Sequence, residues 1–250
     1  MDLLQKLQGY YRNKGIAAEH FKCPHLEDCR GRSKKFVEAT EAFVGSCYQQ
    51  HKTPRLLFIS AAPGENRDWS PKDRTVYGRR DRVSESNFLI KSRKSHWFRT
   101  CELAYEIFSC LNVDLINPNR VQHYFASTDV VKCGQNNKHG AQPDARLFRN
   151  CTQFMVGEIE ILNPDILITQ GCEAYKSIKD NFEKFNRRDY LNKGRKKLSL
   201  FNEVKVLKIN NRPVLWISTH HPNSHGNAFP KQMKKWPEYA EIVKDFRANI

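Results

Sequence analysis

Arg55-Leu56-Leu57-Phe58-Ile59-Ser60, followed at once by Ala61-Ala62-Pro63-Gly64, decides how this chain is read. An apolar run of that length, halted by small residues and Pro-Gly, predicts a buried strand ending in a turn. The same grammar returns at Asp165-Ile166-Leu167-Ile168-Thr169, which stops at Gln170-Gly171, and at Tyr124 to Val131. Val204 to Ile209 and Pro213 to Ser218 read as two more strands, joined by Asn210-Asn211-Arg212 as a hairpin. Elsewhere the apolar spacing is helical: Leu3 to Tyr11, Lys34 to Tyr48, Trp97 to Leu111, Phe148 to Leu162, a helix after Gly171, and Trp236 to Phe246. Cys23 to Cys29 reads as a short loop. Residues 65–96, polar and rich in Arg and Lys, read as a long loop over a site. Strands alternating with helices predict a single α/β domain over residues 1–250 with a mainly parallel sheet. In such sheets ligands gather beyond the C-terminal strand ends, here after Ser60, Val131 and Ser218.

Composition narrows the function classes. The 250 residues are 39% hydrophobic and 11% aromatic, which suits a globular domain and excludes a disordered one. No apolar run approaches the roughly 18 residues of a membrane span. Met1-Asp2-Leu3-Leu4-Gln5-Lys6 lacks the apolar centre of a signal peptide, so a cytoplasmic protein without a membrane partner is expected. The 42 Lys and Arg outnumber 27 Asp and Glu, giving a formal charge of +15. An excess of that size attracts polyanions, of which nucleic acid is the commonest in cytoplasm. Eight cysteines in a reducing compartment point to a few metal ligands plus buried thiols rather than disulfides.

Three short segments carry chemistry. Ser60-Ala61-Ala62-Pro63-Gly64-Glu65-Asn66 lets backbone come close to a ligand. Thr128-Asp129-Val130-Val131-Lys132-Cys133 sets two buried valines between a carboxylate and a thiol. Thr219-His220-His221-Pro222-Asn223-Ser224-His225 offers either a three-histidine metal site or one histidine held rigidly before Pro222.

Taken in order, these segments resemble the uracil-DNA glycosylase superfamily, and most closely its iron–sulfur branch. That branch carries Gly-Glu-Ala-Pro-Gly, Thr-Asn-Val-Val-Lys-Cys and a His-Pro-Ser-type motif, which fall here on residues 60–64, 128–133 and 221–223. The likeness spans residues 20 to 245. It implies a three-layer α/β/α sandwich on a four- to five-stranded, mainly parallel sheet, with N-terminal helices and a cluster loop in residues 1–50. It implies a monomer that binds DNA, flips a nucleotide out and hydrolyses its N-glycosidic bond. Cys23, Cys29, Cys133 and Cys151 would hold a [4Fe–4S] cluster, with Zn²⁺ on the same sulfurs as the alternative. His221 would donate to base O2 as the bond breaks. Ala61, Ala62, Pro63, Gly64, Asn66, Pro222 and Asn223 would line the substrate, and Tyr77 would stack on the base.

The chain also departs from that pattern. Five residues separate Cys23 from Cys29, where the branch usually has two. Ala61 stands where the branch has a water-activating glutamate, which leaves Glu65, Asn66 or Asp68 to position water. Asp129 stands where the branch has Asn. An amide can donate to O4 and accept from N3–H of uracil, whereas an ionised carboxylate only accepts and suits the amine of cytosine. A cytosine glycosylase would destroy its own genome unless it demanded a modification. Hydroxymethylated or glucosylated cytosines of phage DNA meet that condition, so an anti-phage enzyme is expected. Uracil repair and a catalytically inactive DNA-binding homologue are the alternatives.

Overall fold

A computed structural model of the chain describes residues 1–31, 36–49, 53–63, 69–85, 95–111, 117–135, 144–186, 189–191, 204–222 and 228–250. In chain order the elements are α1 (Leu3–Asn13), α2 (Leu26–Arg30), β1 (Phe36–Val37), β2 (Phe43–Val44), β3 (Leu56–Ser60), α3 (Val76–Glu85), α4 (His96–Cys110), β4 (Phe125–Asp129) and β5 (Gly134–Gln135). There follow α5 (Ala145–Leu162), β6 (Ile166–Gln170), α6 (Cys172–Asn181), β7 (Lys184–Phe185), β8 (Val204–Ile209), β9 (Arg212–Thr219), α7 (Ala228–Met233) and α8 (Trp236–Ala248).

The main sheet runs β2-β4-β3-β6-β9-β8-β7. Its centre, β4-β3-β6-β9, is parallel, while β2, β8 and β7 pair antiparallel at the edges. The sheet is therefore seven-stranded and mixed, which corrects the expected four to five mainly parallel strands. Two of the extra strands, β2 and β7, are two residues long and leave no periodic trace in sequence. Side chains alternate across the central strands as a period of two requires. Leu57, Ile59, Leu167 and Trp216 pack with α1, α5 and α6. Leu56, Phe58, Ile166, Ile168, Leu215 and Ile217 pack with α4 and α8. Helices thus cover both faces of the sheet.

Local signals explain the boundaries. Asp2 caps α1 in a reciprocal box with Gln5, and Asp144 caps α5, which ends on left-handed Asn163 (φ 46°). Asn210 (φ 50°) and Asn211 (φ 59°) supply the two positive-φ positions of the tight β8–β9 turn.

Three local expectations fail, each for a tertiary reason. The segment expected as a helix from Lys34 to Tyr48 instead forms β1 and β2 where it is described. The Thr40 amide donates to the Lys132 carbonyl (2.8 Å), and the Glu41 carboxylate accepts from the Ala18 (2.9 Å) and Val76 (2.8 Å) amides. The loop expected between Cys23 and Cys29 contains α2. Within the long loop expected over residues 65–96 lie a 3₁₀ turn, Lys72–Arg74, and the ten-residue α3. The inward face of this helix mixes two buried valines, Val76 and Val83, with guanidinium groups, so the apolar pattern stays weak. Arg79 donates to the Glu41 carbonyl and Arg80 to that of Val44 (2.8 Å), stitching α3 to the β2 segment. Gly78 is required there, because a Cβ would lie 2.1 Å from the Lys72 carbonyl oxygen. No helix among the described residues is long and apolar enough to cross a membrane.

Candidate active site

The parallel ladder between β3 and β4 sets Ser60 in register with Asp129. It continues past the strand ends: Val130 donates to the Ser60 carbonyl (2.9 Å) and Val131 to that of Ala61 (3.0 Å). The Ala61–Pro63 turn and the Asp129 segment are thereby locked side by side. The Ser60 hydroxyl in turn contacts Nε2 of His96 (3.2 Å), at the start of α4, and donates to Oε1 of Gln170 (3.1 Å), at the end of β6. The His96 ring stacks on that of His221, centroids 4.9 Å apart and planes 25° off parallel. Gly171, with φ at 100°, leaves space for His221, whose Cβ lies 3.2 Å from where a glycine Cβ would be. Arg99 fixes the next residue by donating to the Pro222 carbonyl. Residues from the ends of β3, β4, β6 and β9 thus converge at one edge of the sheet.

Both imidazoles are held neutral at pH 7. Burial, and then the neighbouring His221, push His96 down to about 3, against a hydrogen bond to Gln170 that pulls it up. Burial also lowers His221. The half-buried Asp129 moves the other way. Burial raises it most, Arg79 and Lys132 pull it down, and Glu158 adds to the rise.

Behind Asp129 lies a sealed polar cluster. Lys132 pairs with Glu158 at 2.5 Å, both side chains almost wholly buried. Thr128 donates to the same carboxylate oxygen (2.5 Å) and accepts from Lys132 (2.8 Å), and Tyr11 donates to the other oxygen. Next along the chain come the cysteines. Cys23, Cys29, Cys133 and Cys151 lie close enough that every one of the six pairs interacts electrostatically. Burial raises Cys133 strongly and Cys151 to about 11, so neither buried thiol ionises near neutrality without a compensating cation. Three of the sulfurs accept N–H bonds: Cys23 from the His25 backbone, Cys151 from the Lys132 backbone, and Cys29 from Asn150 Nδ2 at 3.3 Å. Such N–H···S contacts are what tune iron–sulfur ligands. Among the described residues, no three His, Cys, Asp or Glu side chains close on a single-ion position.

The sequence-predicted residues thus fall into four groups. His221, Asp129, Ala61, Ala62, Pro63 and Pro222 lie at this edge, and the four cysteines lie together. Tyr77 is exposed in the first turn of α3 and makes no hydrogen bond or ring contact among the described residues. Gly64, Glu65, Asn66, Asp68 and Asn223 lie outside the described residues. Sequence reasoning missed His96, Gln170, Arg79 and Arg99. A usable signal for His96 existed: Ser95 before an apolar-periodic run is an N-cap, and its side chain does accept from Phe98 (3.1 Å).

A cleft of about 310 Å³ opens beside the site between Gly171, Tyr175, Thr219, His220 and Gln232. A slightly larger one, about 350 Å³, lies at the opposite sheet edge around Arg55 and Asp165. Size does not select between them; strand polarity does, since α/β sites sit beyond C-terminal strand ends. No protein-family model matches the chain, and no curated protein is significantly similar to it.

Proposed function

We propose that this protein is a DNA glycosylase of the uracil-DNA glycosylase type. It flips a modified cytosine from DNA, hydrolyses the N-glycosidic bond and leaves an abasic site, in defence against phage whose genomes carry such bases. One observation carries the reading: Ser60 ties the two halves of the site together. Its backbone pairs with Asp129, and its hydroxyl holds the ring on which His221 stacks. A base reader and a donor for base O2 then border one turn, Ala61 to Pro63.

In this reading Asp129, ionised, accepts from the exocyclic amine of the flipped base. Neutral His221 donates to O2 as the bonding pair moves onto the ring, a fixed donor aimed at developing charge. The formal charge of +15 supplies non-specific attraction to the phosphate backbone. The four mutually close sulfurs would be the ligands of a [4Fe–4S] cluster, with Zn²⁺ on the same sulfurs as the alternative. Bound there, the cluster would tie α2, α5 and the segment after β4 together as a structural staple.

The test is base release from duplexes that differ only at one position: cytosine, glucosylated hydroxymethylcytosine or uracil. Abasic sites are read as alkali-labile breaks. Release from the modified duplex with ordinary cytosine spared is the expected result; equal excision of uracil and modified cytosine would remove the case for the phage substrate.

A second reading, uracil excision, is favoured by the raised pKa of Asp129. A protonated carboxyl gains a donor and can then bond to uracil O4.

A further inference from the structure

We infer that His96 is a catalytic residue of this site, its Nδ1 lone pair holding the water that attacks the sugar. The inference rests on the glycosylase reading and fills the role for which Ala61 has no carboxylate.

Proton directions around His96 are fixed by a backbone carbonyl. Thr100 donates its only hydroxyl proton to the His96 carbonyl (3.0 Å), so it must accept from Gln170 Nε2 (2.9 Å). That orients the Gln170 amide, whose Oε1 accepts the Ser60 hydroxyl proton (3.1 Å). Ser60 has then spent its proton and can only accept from His96, which must carry hydrogen on Nε2 (3.2 Å). A loop of hydrogen bonds begins at the His96 backbone and ends at its ring, selecting one tautomer. In that tautomer Nδ1 is a bare acceptor. Among the described residues the bond between the ring and Ser60 runs through Nε2, which leaves Nδ1 as the acceptor.

Position and charge agree with the role. The ring sits between the Ser60 hydroxyl, one residue before Ala61, and the face of His221. His96 is also the first residue of the fifteen-residue α4, where the helix dipole disfavours an imidazolium. With its pKa near 3, His96 stays a neutral acceptor at all physiological pH values. Such a weak base cannot strip water beforehand. An oxocarbenium-like reaction does not ask it to, because bond breaking runs ahead of attack. The C1′–N bond breaks with its electron pair leaving on the base, and the water oxygen bonds to C1′. The surplus proton of that water then passes to solvent, and the departed base takes one from solvent. Reactants and products balance as nucleoside plus water giving abasic sugar plus free base.

Two substitutions separate this role from mere support of His221. His96→Gln keeps a group at the Nε2 position and loses the acceptor at Nδ1. His96→Asn does the reverse. Base release is followed under single turnover on the modified-cytosine duplex, alongside duplex affinity and thermal unfolding. The expected result is a fall of about 100-fold for His96→Gln, the scale of a lost positioning contact, a fall within about tenfold for His96→Asn, and unchanged duplex affinity for both. In mixed water and methanol, His96→Gln should also shift the ratio of methyl glycoside to abasic sugar, which a spacer would leave alone. Wild-type rates in His96→Gln, or equal losses in both variants with an unchanged methanol ratio, overturn the inference. If His96→Asn does not fold, the methanol ratio of His96→Gln decides alone, and no shift overturns it. If the wild type releases no base from any duplex, the glycosylase reading itself falls and takes this inference with it.

Discussion

Two buried polar networks meet the C-terminal edge of the sheet from opposite faces, one charged and one neutral. On the α5 side, Lys132 and Glu158 form a sealed ion pair completed by Thr128 and Tyr11. On the α4 side, Ser60, Gln170, Thr100 and His96 form a loop of neutral groups. A sealed ion pair sacrifices hydration and repays it only when every partner is present. Its yield is registry: one residue, Lys132, fixes Glu158 with its side chain and Cys151 with its backbone N–H. The neutral loop costs less to bury and leaves the two histidines beside it uncharged. The charged network should therefore govern stability, and the neutral one the chemistry.

The largest test of that division is Lys132→Met. Removing one partner strands the Glu158 charge and should cost about 3–5 kcal/mol in urea denaturation. Adding Glu158→Leu should recover most of that loss, since two apolar groups leave nothing unpaired. No recovery in the double variant would mean that the pair contributes net stability of its own. His221→Ala, on the neutral side, should do the opposite: unfolding unchanged, base release down about 10²–10³-fold. A variant that unfolds early, or that still makes abasic sites at the wild-type rate, would erase the contrast between the networks.

How much of this was legible in the sequence follows the same line. Strands β3, β6, β8 and β9 and helices α1, α4, α5 and α8 were readable because apolar periodicity reports burial directly. Asp129, Cys133 and His221 could be singled out because they sit in short segments at or just after strand ends; Cys23, Cys29 and Cys151, in a loop, α2 and α5, were singled out through the resemblance alone. Helix α3 was not, because only Val76 and Val83 mark its inner face and its other inward contacts, made by Arg79 and Arg80 to carbonyls, look like solvent-facing charge. Strand β2 was not, because two residues carry no period and its place is set by pairing with β4. His96 was hidden for a third reason. Its role depends on Ser60, Thr100 and Gln170, of which two are far away in sequence, and on a proton order that only geometry reveals.

A smaller effect sharpens the reading of Asp129 itself. Asp129→Asn restores a donor and should shift the ratio of uracil to modified-cytosine excision by about 10–100-fold towards uracil, the 1–3 kcal/mol of one base-edge contact. Competition between the two duplexes in one tube measures it. An unchanged ratio would show that Asp129 serves the fold beside Arg79 and does not read the base.

The smallest expected effect is a pH dependence, and its sign follows from the upward shift of Asp129. An acid whose folded pKa exceeds its ordinary value holds its proton longer in the native state. Between the two values the fold binds more protons than the unfolded chain, so stability is present below the ordinary carboxylate range and lost as pH rises through the folded pKa. Selectivity should run in parallel. As pH falls into that window Asp129 gains a hydrogen to donate, and uracil excision should rise relative to that of modified cytosine. His96, pushed down to about 3, is already neutral throughout that window and does not obscure the trend. In Asp129→Asn the dependence should vanish. If the wild-type ratio stays flat with pH while Asp129→Asn still changes it, the carboxylate reads the base in its ionised form throughout, and the uracil reading loses its one support.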